Sequence, residues 1–254
     1  MAKLFGHPRH DPASPARVPD GVRVYAIGDI HGRLDLLREV HALVAADAAG
    51  AAQCGNTVVY LGDYVDRGVD SRGVIDLLLD DPPAGFETVH LRGNHEDLML
   101  RFLDDIDFGP VWLDNGGVAT LLSYGVSLAG PQSREATLQV AQRHLTERLP
   151  GRHLAFLRAL RPCHEIGGYL FVHAGVRPGV ALEAQAEDDL MWIREEFLGS
   201  NADHGRVVVH GHSIRREAEL LPNRIGIDTG AYATGVLTCL VLEGAGRRLL
   251  QTAG

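Results

Sequence analysis

The sequence of 254 residues contains only three cysteines, no long apolar run and no long basic run. Cys54, Cys163 and Cys239 are far apart, and such a sparse, odd set argues against a disulfide framework and fits a reducing compartment. The longest apolar stretches, such as Leu237–Leu242, have only the length of a strand. The formal net charge of −9 disfavours nonspecific binding to nucleic acid. We therefore expect a cytoplasmic protein that binds neither membranes nor nucleic acid.

The opening segment, residues 1–19, contains four prolines and no continuous apolar stretch. It lacks the apolar middle region of a secretory signal, so we predict that it is a disordered tail. The whole chain is 45% hydrophobic and 22% charged, which is ordinary for a globular protein. Residues 20–254 are therefore predicted to form one domain.

Short β-rich segments alternate with helical segments early in the chain. The predicted strands are Val22–Ile27, Thr57–Leu61 and Phe86–Leu91, and the helices that follow them are Leu34–Ala46, Arg72–Leu79 and Glu96–Leu103. This alternation predicts an α/β protein with a largely buried sheet. Residues 109–161 lack clear strands and are predicted to be a helical insertion. Later strands are predicted at Tyr169–Val172, Arg206–Val209, Ile225–Ile227, Gly235–Leu242 and Arg248–Leu250.

Polar residues stand where five of these strands end. The five ends carry the sequences GDIHG (28–32), GDYVDRG (62–68), GNHE (93–96), VHAG (172–175) and HGHS (210–213). One such end is weak evidence, because an Asp beside a Gly is usually a turn residue. Five ends that each carry a possible metal ligand indicate a metal site, since α/β proteins bind ligands at the carboxyl ends of strands.

The ligand types indicate two divalent ions. Asp29 and His31 are two residues apart, so an extended backbone directs both side chains to one side. A mixed oxygen and nitrogen set without thiolate suits Mn, Fe or Zn. Two ions about 3.5–4 Å apart need a bridging carboxylate, and Asp63 on the central early strand is the candidate. Two dications and two carboxylates leave about +2 of charge, which can bind a hydroxide and a phosphate.

These motifs resemble those of the calcineurin-like metallophosphoesterases, from about Val22 to Leu242. The intact GDYVDRG and GNHE resemble the phosphoprotein phosphatase branch in particular, and WLDNGG (112–117), WIR (192–194) and IDTG (227–230) resemble its bacterial and phage members. The resemblance implies a central β-sandwich flanked by helices. It also implies two divalent metal ions as cofactors, with Mn²⁺ as the expected metal and Fe or Zn as alternatives.

The resemblance further implies the role of ten side chains. The ligands of the first metal would be Asp29, His31 and Asp63, and those of the second would be Asp63, Asn94, His173 and His212. The remaining four would be His95 as general acid, Asp66 as its orienting carboxylate, and Arg67 and Arg194 as phosphate clamps. Guanidinium forks match phosphate oxygens, and a His–Asp pair favours the imidazolium. The implied reaction is direct in-line attack on phosphorus by a metal-bridging hydroxide.

Three positions leave alternatives open. His210 precedes His212 by two residues and could also face the metals, although the family's ligand matches His212. Arg194 could instead pair with a neighbouring carboxylate on a surface helix. Relatives usually continue Gly-His-Thr-Pro where this chain has Gly211–Ile214, GHSI, so the turn after the ligand loses its proline. His90, inside a strand, is interpreted as a structural histidine.

The expected substrate is a phosphorylated protein or a small phosphoester, and the expected enzyme is a serine/threonine phosphatase. The first alternative is a hydrolase of diadenosine tetraphosphate or another nucleotide with the same fold. Nucleotide-cleaving relatives tend to replace the residue that corresponds to Asp66, and this chain retains it. The second alternative is a catalytically silent binding module, which should have lost ligands. The sequence leaves open the physiological substrate, Ser/Thr against Tyr preference and the oligomeric state.

Overall fold

Two five-stranded sheets form the centre of the molecule. The computed structural model describes residues 16–50, 55–128 and 133–254. The strands are, in chain order, β1 (Val22–Ile27), β2 (Gly55–Tyr60), β3 (Glu87–His90), β4 (Cys163–Ile166), β5 (Tyr169–Val172), β6 (Val207–His210), β7 (Glu219–Leu220), β8 (Arg224–Gly226), β9 (Thr238–Glu243) and β10 (Gly246–Gln251). The orders are β10-β9-β1-β2-β3 in the first sheet and β4-β5-β6-β8-β7 in the second.

Each sheet contains three adjacent parallel strands together with two antiparallel ones. Strands β1, β2 and β3 are parallel, as are β5, β6 and β8. Strands β9 and β10 on one side of the first sheet, and β4 and β7 at the two edges of the second, pair antiparallel, whereas β3 is a parallel edge strand. The carboxyl ends of all six parallel strands are followed by the polar segments described above or, after β8, by Asp228.

Helices cover both outer faces. They are α1 (Leu34–Ala49), α2 (Ser71–Asp80), α3 (Asn94–Asp104), α4 (Gly109–Trp112), α5 (Val118–Ser123), α6 (Arg134–Arg148), α7 (Gly151–Ala159), α8 (Glu187–Trp192), α9 (Glu195–Leu198) and α10 (Ala231–Thr234). Short helical turns occur at Ile106–Phe108, Leu113–Gly117 and Leu182–Ala184. Within the described ranges, no helix combines the length and apolarity that a membrane crossing requires.

Alternation along the strands divides the apolar core into layers. Val24 and Ala26 of β1 belong to a cluster that also holds residues of the second sheet, so they lie between the two sheets. Tyr25 and Ile27, which point the other way, pack with α1, α2 and the helices that follow α3. Because both faces of β1 are buried, its sequence is almost continuously apolar. The predicted β-sandwich flanked by helices is confirmed.

The structure adds to the sequence predictions in two places. Residues 1–15 of the predicted tail lie outside the described residues, but Ala16 and Val18 are 2% and 0% exposed. Ala16 accepts a hydrogen bond from the Tyr169 hydroxyl (3.0 Å), and Val18 N donates to Gly244 O (3.0 Å). Residues 16–19 are therefore packed rather than disordered.

Strands β4 and β7 were not predicted, because each is a short edge strand of two to four residues with mixed polarity.

Candidate active site

The predicted metal ligands converge at one edge of the sandwich. All six are at most 5% exposed: Asp29, His31, Asp63, Asn94, His173 and His212. They come from the segments after β1, β2, β3, β5 and β6, so both sheets contribute. The predicted convergence therefore agrees with the rule that ligands of open α/β sheets bind beyond the carboxyl ends of the strands.

Asp63 lies at the centre of the cluster. Its Oδ2 is 3.5 Å from Nε2 of His31, 3.8 Å from Nε2 of His95 and 3.4 Å from Nε2 of His173. Two groups of potential ligand atoms, each within 4.8 Å of one another, share this carboxylate: one is His31, Asp63 and His95, and the other is Asp63, His173 and His212. A carboxylate common to two groups is the arrangement expected of a bridging ligand.

Two histidine rings are oriented by backbone carbonyls. Nδ1 of His31 donates to Val65 O at 2.8 Å, and Nδ1 of His173 donates to Leu61 O at 2.9 Å. In both rings this leaves Nε2 directed at Asp63. Metal-binding histidines commonly donate their second ring nitrogen to a carbonyl in this way, which fixes the tautomer.

His212 supplies an unpaired buried nitrogen. Its Nδ1 lies 2.9 Å from Oδ1 of Asn94, and that oxygen also lies 3.0 Å from Nε2 of His173. Nε2 of His212 is buried and has no hydrogen-bond partner. Among the described residues, Nε2 of His90 and of His210 is also buried without a partner, but of these three histidines only His212 belongs to a group of potential ligand atoms. The donor set of imidazole, carboxylate and amide oxygen therefore fits divalent metal ions.

Asp29 is placed differently from the other predicted ligands. Both of its oxygens accept a hydrogen bond from the backbone N of His212, at 3.2 and 3.0 Å. It belongs to neither group of clustered ligand atoms, whereas His95, which was predicted as the acid, belongs to the first. Burial and the nearby Asp228 carboxylate raise the pKa of Asp29. The side chain is thus at the site, but it faces the loop that carries His212.

The predicted acid, His95, is paired with Asp66. Nδ1 of His95 lies 2.7 Å from Oδ2 of Asp66, which also accepts from Nε1 of Trp112 at 3.0 Å. The other oxygen of Asp66 accepts from the Thr120 hydroxyl at 2.6 Å. Burial alone would lower the pKa of His95, but the carboxylates of Asp63 and Asp66 outweigh it and raise the pKa. In the absence of cations, the two carboxylates therefore favour the imidazolium form of His95.

The two predicted phosphate clamps occupy different positions. Arg67 is half-buried, and its Nη1 and Nη2 lie 2.8 Å from Nε2 of His31 and 3.0 Å from Nε2 of His95. Arg194 is exposed, and its Nη1 lies 3.4 Å from the hydroxyl of Ser213, the residue that follows His212. The structure thus brings Arg67 into the ligand cluster and leaves Arg194 beside the loop after His212.

The histidines of the cluster have pKa values shifted in opposite directions. Burial lowers the pKa of His31 to about 3, and burial together with the charge of His173 lowers that of His212 to about 2. His173 is the opposite case, because Asp63 outweighs burial and raises its pKa to about 10. The same pairing holds the pKa of Asp63 well below its usual range in spite of burial. Without cations, Asp63 is therefore neutralised by an imidazolium of the protein itself.

Glu96 is a site residue to which the sequence analysis gave no role. Its buried carboxylate accepts from the backbone N of Asp63 (2.9 Å), Tyr64 (2.7 Å), Val65 (3.2 Å) and Gly93 (3.0 Å). It therefore holds the loop after β2 against the start of α3. The signal was present in the sequence, since a Glu three residues after a helix N-cap commonly bonds back to the backbone.

The backbone of the site is conformationally unusual. Among the residues that the structure describes, the non-glycine residues with positive φ are His31 (46°), Asp63 (53°), Asp66 (71°), Arg67 (66°) and His212 (62°). All five are predicted site residues. Close packing also requires small residues, because a Cβ on Gly93 would lie 2.1 Å from Oδ1 of Asp63. Such conformations persist where the surrounding structure enforces them, as Glu96 does here.

His210 lies outside the ligand groups. Its ring packs edge-on against Phe197, with centroids 5.1 Å apart, and its Nδ1 is 3.1 Å from Gly211 O. Burial lowers its pKa to about 4. His90 is also structural, because it stacks on Tyr60 at 4.9 Å with the two rings nearly parallel. The structure thus places His212, rather than His210, among the ligand atoms.

Comparison with known proteins agrees with this geometry. The family model described as calcineurin-like phosphoesterase matches residues 22–222, so the chain belongs to the calcineurin-like phosphoesterases. Members of this family use a dinuclear metal centre, and the chain is accordingly a metal-dependent phosphoesterase. The resemblance inferred from the motifs is confirmed.

Relatives with two kinds of substrate are similar to the chain. Serine/threonine-protein phosphatase 1 of Salmonella typhimurium is 29% identical over 223 residues, which cover 85% of this chain and 89% of the relative. The asymmetrical bis(5'-nucleosyl)-tetraphosphatase PrpE of Anoxybacillus flavithermus is 25% identical over 231 residues, which cover 84% of this chain and 88% of the relative. A crystal structure of a candidate diadenosine tetraphosphatase superposes with a TM-score of 0.60 at 22% identity, over 95% of this chain and all of the other, and shows the shared fold.

Substitution of the two neighbouring histidines should give opposite results. His212→Ala should lose bound metal and phosphatase activity, because it removes a nitrogen of the second ligand group. His210→Ala should retain most of both, since its ring contacts Phe197. Elemental analysis of the purified variants and hydrolysis of p-nitrophenyl phosphate with added Mn²⁺ measure the two effects. The reverse result would place the ligand at position 210.

Proposed function

We propose that this protein is a dinuclear-metal phosphomonoester hydrolase that removes phosphate from phosphorylated serine or threonine residues of proteins. The observation that carries the proposal is the placement of the His95–Asp66 pair beside the carboxylate shared by both ligand groups. Seryl and threonyl alkoxides are poor leaving groups, so their release depends strongly on a positioned acid.

We assign the ligand roles to the buried cluster. Asp63 would be common to both ions, with His31 on one side and Asn94, His173 and His212 on the other, and Asp29 at the edge next to His212. Bound there, two divalent ions, for which we propose Mn²⁺, would polarise the phosphoryl oxygens and lower the pKa of a water molecule. The side chains of Arg67 and Arg194 would bind the remaining phosphate oxygens.

His95 would transfer a proton to the leaving oxygen. Asp66 receives three side-chain hydrogen bonds, from His95, Trp112 and Thr120, so its carboxylate cannot turn away from the ring. It therefore keeps Nδ1 of His95 occupied, so that Nε2, which lies 3.0 Å from Nη2 of Arg67, would donate the proton once Arg67 binds the phosphate instead. Because Trp112 and Thr120 belong to the segment predicted as an insertion, that segment supports the acid.

A surface groove supports a protein substrate. It has a volume of about 550 Å³, and Trp192 links it to the metal cluster, because its ring meets that of His212 edge-on at 6.3 Å. Its apolar lining is Leu98, Phe108, Val111, Trp192 and Ile193, and its charged lining is Asp97, Arg101, Arg177, Asp188, Asp189, Glu195 and Glu196. Four of the five carboxylates pair with the two guanidinium groups, and the lining retains an excess of negative charge, which favours basic peptide side chains and disfavours a polyphosphate.

The second candidate is hydrolysis of a bis(5'-nucleosyl) tetraphosphate. The similarity to a nucleotide-cleaving relative over most of both chains favours it. The acidic groove and the retained Asp66 oppose it.

The two candidates differ in the substrate that the Mn²⁺-loaded protein turns over best. We expect kcat/KM for phosphoseryl and phosphothreonyl peptides, particularly those with basic residues beside the phosphate, to exceed that for diadenosine tetraphosphate. The same preparation should hydrolyse p-nitrophenyl phosphate, and an Asp63→Asn protein purified in parallel controls for contaminating phosphatases. A higher kcat/KM for the dinucleotide would reject the protein phosphatase in favour of the second candidate.

A further inference from the structure

Tyr232 contacts two of the site residues, although its segment was not part of any metal motif. It lies on the short helix α10, and its side chain is partly buried. Its ring centroid is 4.9 Å from Cζ of Arg67, and its ring meets that of His31 edge-on at 5.4 Å. The first contact has the geometry of a cation–π interaction.

Helix α10 is held firmly against the site. Nη1 of Arg33 donates to Ala231 O at 2.9 Å, which links α10 to the start of α1. The backbone N of Gly230 donates to Oδ1 of Asp228 at 2.9 Å, and the Thr234 hydroxyl donates to Thr229 O at 3.0 Å. These bonds fix both ends of the short segment, so the aromatic ring has a defined position beside Arg67.

Arg67 has few other partners that could fix its guanidinium group. Within the described part of the chain, the guanidinium group of Arg67 forms no ion pair with a carboxylate; its nitrogens contact the rings of His31 and His95, and its charge acts on the nearby Asp228. Those ring nitrogens belong to the predicted ligand and acid. The face of Tyr232 is therefore a contact that can hold the guanidinium while the histidines serve other partners.

The hydroxyl of Tyr232 makes no comparable contribution. Across residues 16–50, 55–128 and 133–254 it has no hydrogen-bond partner, whereas the Tyr60 hydroxyl, for instance, lies 2.8 Å from Nε2 of His41. The structural contacts of Tyr232 are thus made by its ring. This difference allows the ring and the hydroxyl to be tested separately.

We propose that Tyr232 is a positioning residue for phosphate recognition, whose aromatic face fixes the guanidinium group of Arg67 at the metal cluster. The inference rests on the proposed phosphatase function, because it assigns Arg67 to the phosphate. It extends that function by adding a residue that acts through Arg67 without itself binding the metal ions.

Substitutions of Tyr232 should change phosphate affinity more than turnover. Tyr232→Leu keeps an apolar side chain but removes the π face, and it should raise KM for p-nitrophenyl phosphate and the Kd for inorganic phosphate about 3- to 30-fold, as a lost cation–π contact predicts. Its kcat should change by less than about 3-fold, since the acid and ligands are intact. Tyr232→Phe should restore both constants to within about 2-fold of the wild type, because the ring suffices.

A double-mutant cycle with Arg67→Ala tests whether the ring acts through Arg67. Tyr232→Leu should weaken phosphate binding in the wild type but not in the Arg67→Ala protein. Isothermal titration with inorganic phosphate measures the affinity, and elemental analysis and Tm verify metal content and folding. Tyr169→Leu is a matched control, because its ring lies 5.4 Å from Cζ of Arg247 at the start of β5, away from the cluster, and phosphate affinity should be unchanged.

Three results would overturn the proposal. Additive effects in the cycle would mean that Tyr232 acts independently of Arg67. A Tyr232→Phe protein that binds phosphate as weakly as Tyr232→Leu would assign the effect to the hydroxyl. Loss of metal from Tyr232→Leu would assign the effect to His31. The probes are inorganic phosphate and p-nitrophenyl phosphate. A protein that failed to act on phosphopeptides would therefore reject the proposed function while leaving this test intact.

Discussion

Replacing Asp63 with asparagine is expected to abolish phosphatase activity and to lower the bound metal to one ion or none. The carboxylate is 1% exposed and is the only member common to both groups of ligand atoms found among the described residues. An amide has the same shape, but it lacks the negative charge that two dications share. The loss of several kcal/mol of charge stabilisation corresponds to a rate decrease of more than about 10³-fold.

Elemental analysis of the purified variant and the rate of p-nitrophenyl phosphate hydrolysis measure this effect. Asp47→Asn is the matched control, because Asp47 is also mostly buried and its Oδ2 accepts from the Tyr25 hydroxyl at 2.8 Å rather than facing a histidine. That variant should keep two metals and most of its rate. An active Asp63→Asn protein with two tightly bound ions would contradict the assignment of Asp63 as the bridging ligand.

His95→Asn is expected to retain both metals and to lose about 10²–10⁴ in rate, which is the usual contribution of general acid catalysis. The loss should be largest for a phosphoseryl peptide, because its alkoxide must be protonated as it departs. It should be smaller for p-nitrophenyl phosphate, whose leaving group is stable as an anion. His95 also lies among the first group of ligand atoms, so metal content is measured alongside both rates.

Asp66→Asn should follow the same pattern more weakly, because it weakens the bond that orients His95 but leaves the ring in place. Equal losses for both substrates with intact metals would mean that His95 positions phosphate or water instead of donating a proton. Loss of metal from His95→Asn would instead assign the ring to the first metal, as the distance of 3.8 Å from Nε2 to Oδ2 of Asp63 allows.

The sequence was sufficient to predict the parallel strands of both sheets and most of the side chains that cluster at their ends. Continuous apolar strands such as Val22–Ile27 and Tyr169–Val172 were found at their observed bounds, because burial on both faces leaves an unambiguous pattern. Convergence of the strand ends also follows from topology, since parallel strands bring their carboxyl ends to one edge.

Side-chain orientation could not be predicted in the same way. The direction of Asp29 depends on the backbone N of His212, which is 183 residues away in sequence. The contacts of Trp112 and Thr120 with Asp66, and of Tyr232 with Arg67, likewise join segments that no local pattern relates. Such contacts depend on tertiary packing, so sequence periodicity contains no information about them.

The left-handed backbone conformations at the site have a consequence for evolution and engineering. Glycine adopts positive φ without a steric penalty, whereas a strained non-glycine residue there costs on the order of 1–3 kcal/mol. Relief of this strain would therefore favour glycine at positions such as His31, Asp63 and His212, but each replacement would delete a predicted ligand and, at His31 and Asp63, a buried hydrogen bond. Stabilising this protein without loss of catalysis must consequently rely on substitutions elsewhere in the chain, because at these positions stability and activity demand different residues.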